Sequence, residues 1–196
     1  MTRLASLAAA LLVASLVAAA PALAKPATVT PTKIGSTGMT YANGGINCVS
    51  ALQRVTAPTS PSYVVPFDGT ITSWSVQGAN QPATAQLQVY RPVGPNEWRL
   101  VAESAVQQVP ATGVTTFSAR IPVREGDILG RTGLGCVYTS AVPADDVLTF
   151  GYHPAVGSVV TPDGPGSSAW RLNISAKVEP DCSKGNRKKP KACKAR

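Results

Sequence analysis

The stretch AQLQVYRPVGPNEWRLVAE, residues 85–103, decides the fold class. Leu87 and Val89 alternate with Gln86, Gln88 and Tyr90, so successive side chains point to opposite faces, as in a strand. Pro, Gly and Asn cluster in VGPNE, which reads as a turn, and WRLVAES returns as a second strand. Ala85–Glu103 is therefore a hairpin.

The same alternation recurs outward from this hairpin. TTFSARIPV places Phe117, Ala119 and Ile121 in phase. TITSWSVQG puts Trp74 and Val76 on one face, and Ile71, out of phase with them, predicts a β-bulge. AWRLNISAKVEP alternates furthest. Trp170, Leu172, Ile174, Ala176 and Val178 are expected inside, with Arg171, Asn173, Ser175, Lys177 and Glu179 outside. INCVSALQRV fits either a first strand or a short helix. SYVV, ILGRT, CVYTS and VLTFGY read as short strands, FDG and REGD as turns, and HPAVGSVVTPDGPGSS as a loop. About eight to ten short strands, with turn signals every ~8–12 residues, predict an all-β fold. The expected form is a single antiparallel two-sheet β-sandwich, jelly-roll or immunoglobulin-like. No β-α-β alternation and no internal repeat is seen.

The N-terminal residues 1–24 read as a signal peptide. Arg3 precedes an apolar run from Leu4 to Ala20, and Ala22-Leu23-Ala24 is a small-x-small cleavage site. The run is shorter than the ~20 residues of a bilayer span, and no second apolar span follows. Cleavage after Ala24 would leave a soluble, exported chain. Residues 25–45, rich in Thr, Pro and Gly, are expected to form an extended or flexible lead-in. The sandwich is expected over 46–181 and a basic tail over 182–196.

Charge is concentrated at one end. The formal net charge is +8. Without Arg3 the surplus is seven, and the tail alone supplies seven bases: Lys184, Arg187, Lys188, Lys189, Lys191, Lys194 and Arg196. Residues 25–181 are thus neutral, which argues against a specific nucleic-acid surface on the body. The tail bases are candidate ligands for an anionic polymer such as a cell-wall glycan or teichoic acid, against the plainer reading of a solubilising end. The chain has four cysteines, an even count, which in an exported protein reads as disulfides. Of three possible pairings the favoured one is Cys48–Cys136 with Cys182–Cys193, and the tail cysteines pairing between chains is the alternative.

Few residues suggest chemistry. His153 is the chain's one histidine, and no G-x-S-x-G elbow accompanies it. No catalytic residue, metal ligand set or cofactor motif is assigned. Asp68 and Asp127 are expected to cap turn N–H groups. Asp145-Asp146 is a possible but incomplete calcium pair. Trp74 and Trp170 are expected in the core. Trp98 and Tyr90 are the candidate exposed aromatics for a sugar ligand, weighed against ordinary cross-strand packing. Asn173 is expected to be an outward strand residue.

The order PFDGTITSW, LQVYRP, FSARIPVREGDILG, a single cysteine and RLNISAKVEPD resembles a family of secreted actinobacterial domains. The resemblance covers about Ser62 to Asp181 and implies a sandwich fold and export rather than a reaction. Members often continue past "EPD" into Asp- and Gly-rich calcium-type repeats; here CSKGNRKKPKAC follows instead. The expected function is a non-enzymatic exported binding or scaffold module at the cell envelope. A carbohydrate-active enzyme using loop carboxylates and a self-associating structural protein are the alternatives.

Overall fold

A computed structural model describes residues 30–37, 46–140, 142–162, 166–182 and 193. The expected signal peptide lies outside the described residues. So do the seven tail bases.

The strands are β1 (Thr32–Ser36), β2 (Ile46–Val55), β3 (Gly69–Gln77), β4 (Ala83–Ala85), β5 (Leu87–Gly94), β6 (Glu97–Glu103) and β7 (Gln107–Val109). They continue as β8 (Val114–Val123), β9 (Ile128–Thr139), β10 (Asp146–Phe150), β11 (Val159–Val160), β12 (Ser167–Ser168), β13 (Trp170–Leu172) and β14 (Ile174–Pro180). A small sheet has the order β1-β14-β3-β8. A large sheet runs β11-β6-β5-β9-β2-β10-β12, with β13 also paired to β9, and β4 and β7 form a separate ribbon. Every pairing is antiparallel. The all-β, two-sheet expectation holds. No helix among the described residues is long and apolar enough to cross a membrane.

The main core lies between the sheets. Ile34, Ile71, Trp74, Val76, Ile121, Ile174, Ala176 and Val178 of the small sheet meet Ala51, Leu87, Val89, Leu129, Val137, Val147 and Leu172 of the large one. The bulge expected in β3 is present as a register shift between Ile71 and Ser73. It lets Ile71, Trp74 and Val76 all point inward. The Ala85–Glu103 hairpin closes over Pro95-Asn96, with Asn96 at φ 56°. Proline presets its own φ and asparagine tolerates the left-handed one. The ambiguous INCVSALQRV is a strand. ILGRT and CVYTS are one strand, β9, bent where Gly133 and Gly135 take φ 100° and 61°. At Gly133 a Cβ would lie 2.0 Å from the Thr84 carbonyl oxygen, so only glycine fits.

Three expectations are corrected. The lead-in supplies β1, which adds to β14 and buries Ile34, so the sandwich starts before residue 46. The 170–178 alternation spans two sheets, since β13 pairs with β9 and β14 with β3. Arg171, Asn173 and Ser175 are therefore buried at the crossing rather than solvated. Tyr90 and Trp98 are 0 % and 6 % exposed, so neither is a sugar platform.

The reason lies in a second apolar cluster on the opposite face of the large sheet: Leu52, Tyr90, Trp98, Leu100, Ile128, Leu148, Phe150 and Val160. Alternation along β5 sends Leu87 and Val89 to one core and Tyr90 to the other. The Tyr90 ring lies across Gly130 of β9, its hydroxyl reaches Ser50 of β2 at 2.7 Å, and it stacks on Phe150 of β10 at 5.9 Å.

Both disulfides have the favoured pairing. Cys48–Cys136 ties β2 to β9 inside the core, with Cα atoms 5.9 Å apart. Cys182–Cys193 closes the start of the tail, with Cα atoms 5.6 Å apart. Two disulfides place the folded chain in an oxidising, non-cytoplasmic compartment.

A Cβ on residue 130 would sit 2.5 Å from both the Tyr90 ring and the Ala51 carbonyl oxygen. Gly130→Ala is expected to lower stability by about 1–3 kcal/mol through overpacking, read as a lower urea midpoint. An unchanged midpoint would mean that Tyr90 does not pack there.

Candidate functional site

The acids that sequence singles out are used up inside the fold. Asp145 is fully buried. Its Oδ2 accepts from Arg171 Nε at 2.7 Å and Ser60 Oγ at 3.2 Å, and its Oδ1 accepts from the Ala57 N–H at 2.9 Å. Asp146 pairs instead with Arg54. The two adjacent carboxylates thus serve different arginines and do not converge on a cation site. Among the described residues no group of three or more His, Cys, Asp or Glu could hold a metal ion. Burial alone would raise the Asp145 pKa. The hydrogen bonds from Ala57, Ser60, Arg171 and Ser140 outweigh it and hold the carboxyl below its usual range.

Asp127 is equally committed. It takes a bidentate bond from Arg91, 2.8 Å at each oxygen, and caps the Arg124 N–H at 2.8 Å. Asp68 accepts the Glu125 N–H at 2.9 Å. Both therefore cap turn N–H groups, as expected, and Asp68 does so across to the neighbouring turn.

His153 has a partner that sequence could not reveal. Its Nε2 lies 2.7 Å from Glu103 Oε1, which also accepts from Gln88 Nε2 at 2.7 Å. Gln88 Oε1 in turn accepts from Ser50 and from the Tyr90 hydroxyl at 3.0 Å. A polar chain thus runs from the half-exposed His153 to the wholly buried Ser50 and Tyr90. Burial is the main force holding the Tyr90 hydroxyl well above its usual pKa, and Ser50 works against it. His153 connects to Ser50 through Glu103 and Gln88, and Ser50 has no exposed surface from which to meet a substrate. The side chains are brought together by strand register, and no local spacing signals it.

The outer face of the small sheet is different. Its β8 edge exposes Ser118, Arg120 and Pro122, and β3 contributes Thr70 and Thr72. Two shallow grooves of about 640 and 630 Å³ lie here and share Thr70, Arg120 and Asp181. One reaches Glu179 and Cys182; the other reaches Arg91 and Arg124. The Arg91 guanidinium is neutralised by Asp127. Arg120 and Arg124 have no ion pair among the described residues. Cys182, where the basic tail begins, lines the groove that holds Arg120 together with Glu179 and Asp181. No family model, curated protein or solved structure matches this chain.

Asp145 yields a pH prediction. Its folded pKa lies below the unfolded value of about 3.9, so its stabilisation is complete above that pH. It fades as pH falls through the lower folded value. Asp145→Asn should cost about 3–5 kcal/mol at pH 7, because Arg171 is left buried without its partner. The loss relative to wild type should shrink as the pH drops below about 4, as followed by chemical denaturation across pH. A deficit independent of pH would remove the carboxylate from the latch.

Proposed function

We propose that the chain is a non-enzymatic, exported binding module retained at the cell envelope by charge. Export through the leader at residues 1–24, and kinship with the secreted actinobacterial domains it resembles, belong to this proposal. The observation that carries it is the Cys182–Cys193 disulfide. In sequence it brackets Lys184, Arg187, Lys188, Lys189 and Lys191, five of the seven bases in a tail with no acid, and its Cys182 lines the groove that contains Arg120. A cluster of this density attracts anionic polymer at long range and releases it as salt rises. At an anionic membrane surface each base adds about 1 kcal/mol. The burial of Trp98 and Tyr90 removes the two aromatic platforms that the sequence offered for a neutral sugar, and this favours an acidic polymer.

Co-sedimentation of the mature full chain with purified cell envelope tests this. The wild type should pellet at low salt and be released between about 0.05 and 0.5 M. Replacing the seven tail bases with Gln should lower retention about tenfold or more. Equal pelleting of both forms, or retention indifferent to salt, would contradict the proposal.

A further inference from the structure

Two lysines face each other on the small sheet. Lys33 of β1 and Lys177 of β14 are direct cross-strand partners. Like charges in this position destabilise an antiparallel pair. Little on the protein offsets them. Lys33 has no ion pair among the described residues, and Lys177 lies 3.9 Å from a half-exposed Glu179, an arrangement worth little in water. The two ammonium groups border a hollow of about 290 Å³ that also contains Ser73, Ser75 and Ser175. Ser73 is the strand partner of Lys177, and Ser75 that of Ser175. In register, Lys33, Lys177 and Ser73 form one cross-strand row, and Ser175 and Ser75 lie in the next row of the same face.

We propose that this hollow binds the phosphate of a phosphodiester-linked polyol chain. The inference rests on the reading of an exported, anion-retained module and moves the specific contact from the tail to the sandwich. An anion between Lys33 and Lys177 would relieve their repulsion. Lysine binds phosphate as a compact point charge, while the planar arginine fork reads carboxylate and phosphate alike, so the choice of a phosphodiester over a carboxylate rests on the hydroxyl positions beside the two lysines. Ser73 and Ser75, half-buried, suit the hydroxyls of a polyol, since each can donate and accept; Ser75 shares its hydroxyl with Thr116 at 2.8 Å, and Ser175 is buried. The hollow lies at the low end of ligand-pocket sizes, roughly 300–1,000 Å³, and takes one phosphate with its neighbouring unit. No aromatic residue lines it, so stacking on a neutral sugar is not its mode. The protein's own tail does not fit, because it is basic and meets lysines.

The test is calorimetric titration of the mature full chain with poly(glycerol phosphate), polygalacturonate and dextran. Wild type, Lys33→Gln/Lys177→Gln, Lys33→Glu and the tail-neutral variant are compared. Both lysine variants should bind poly(glycerol phosphate) about tenfold more weakly or worse. Their melting temperatures should equal or exceed wild type, because a repulsion is removed. Polygalacturonate should bind wild type more weakly and show less dependence on the two lysines, and dextran should not bind. If the lysine variants bind like wild type while the tail-neutral form does not, the inference fails and tail retention stands. If only the lysine variants lose binding, the inference stands and tail retention fails. No binding of poly(glycerol phosphate) by wild type, or an equal lysine-dependent response to polygalacturonate, would overturn the phosphate assignment.

Discussion

Everything in this sandwich hangs on how the chain passes from one sheet to the other at Asn173. Leu172 pairs in the large sheet and Ile174 in the small one, with a single residue between. Asn173 fills that gap with hydrogen bonds to both sides. Its Nδ2 donates to the carbonyls of Gln77, at 2.9 Å, and Gly135, at 3.1 Å. Its Oδ1 accepts the Gln77 N–H at 3.2 Å, and its own N–H donates to Cys136 at 2.7 Å. Arg131, almost wholly buried, donates to the Asn173 carbonyl at 2.8 Å and to those of Thr132, Leu134 and Gly135. A buried cation surrounded by carbonyl dipoles keeps its charge satisfied and stiffens the bend of β9. The Cys48–Cys136 disulfide is anchored at the same place. This junction sets the register of β14, and so determines that Lys177 faces outward opposite Lys33.

Much of this was legible in sequence, because period-two alternation reports which side chains share a face. The Ala85–Glu103 hairpin, the bulge after Ile71 and the inward row Leu172, Ile174, Ala176 and Val178 follow from that rule. What alternation cannot report is what covers each face. Tyr90 reads as outward because Leu87 and Val89 point in, and Trp98 because it sits beside the Asn96-Glu97 turn, yet the second cluster buries both on the far face of the large sheet. Arg171, Asn173 and Ser175 read as solvated because a single strand was assumed where two sheets meet. Thr32–Ser36 was missed because Ile34 is its only large apolar residue.

The candidate site was less legible for a related reason. Its parts are ordinary surface residues until register juxtaposes them. Lys33 and Lys177 lie near opposite ends of the chain, and neither carries a motif. The same holds for the structural pairs Arg171–Asp145 and His153–Glu103, in each of which a loop residue flanking β10 meets a strand residue distant in sequence. The features most visible in sequence, the adjacent aspartates and the hairpin aromatics, turned out to serve stability. A neutral body can still carry local charge: Asp68, Glu103, Asp127, Asp145 and Asp146 are drawn into ion pairs and turn caps, while Lys33 and Arg120 on the small sheet, and Arg124 just past β8, have no ion pair among the described residues.

On this reading the outer face of the small sheet, rather than the large sheet, meets the envelope polymer. An amide chemical-shift map of the mature full chain titrated with poly(glycerol phosphate) tests it. Saturating shifts are expected at Lys33, Ser73, Ser75, Ser175 and Lys177, extending toward Arg120. Shifts confined to residues 182–196, or centred on the large sheet, would contradict it.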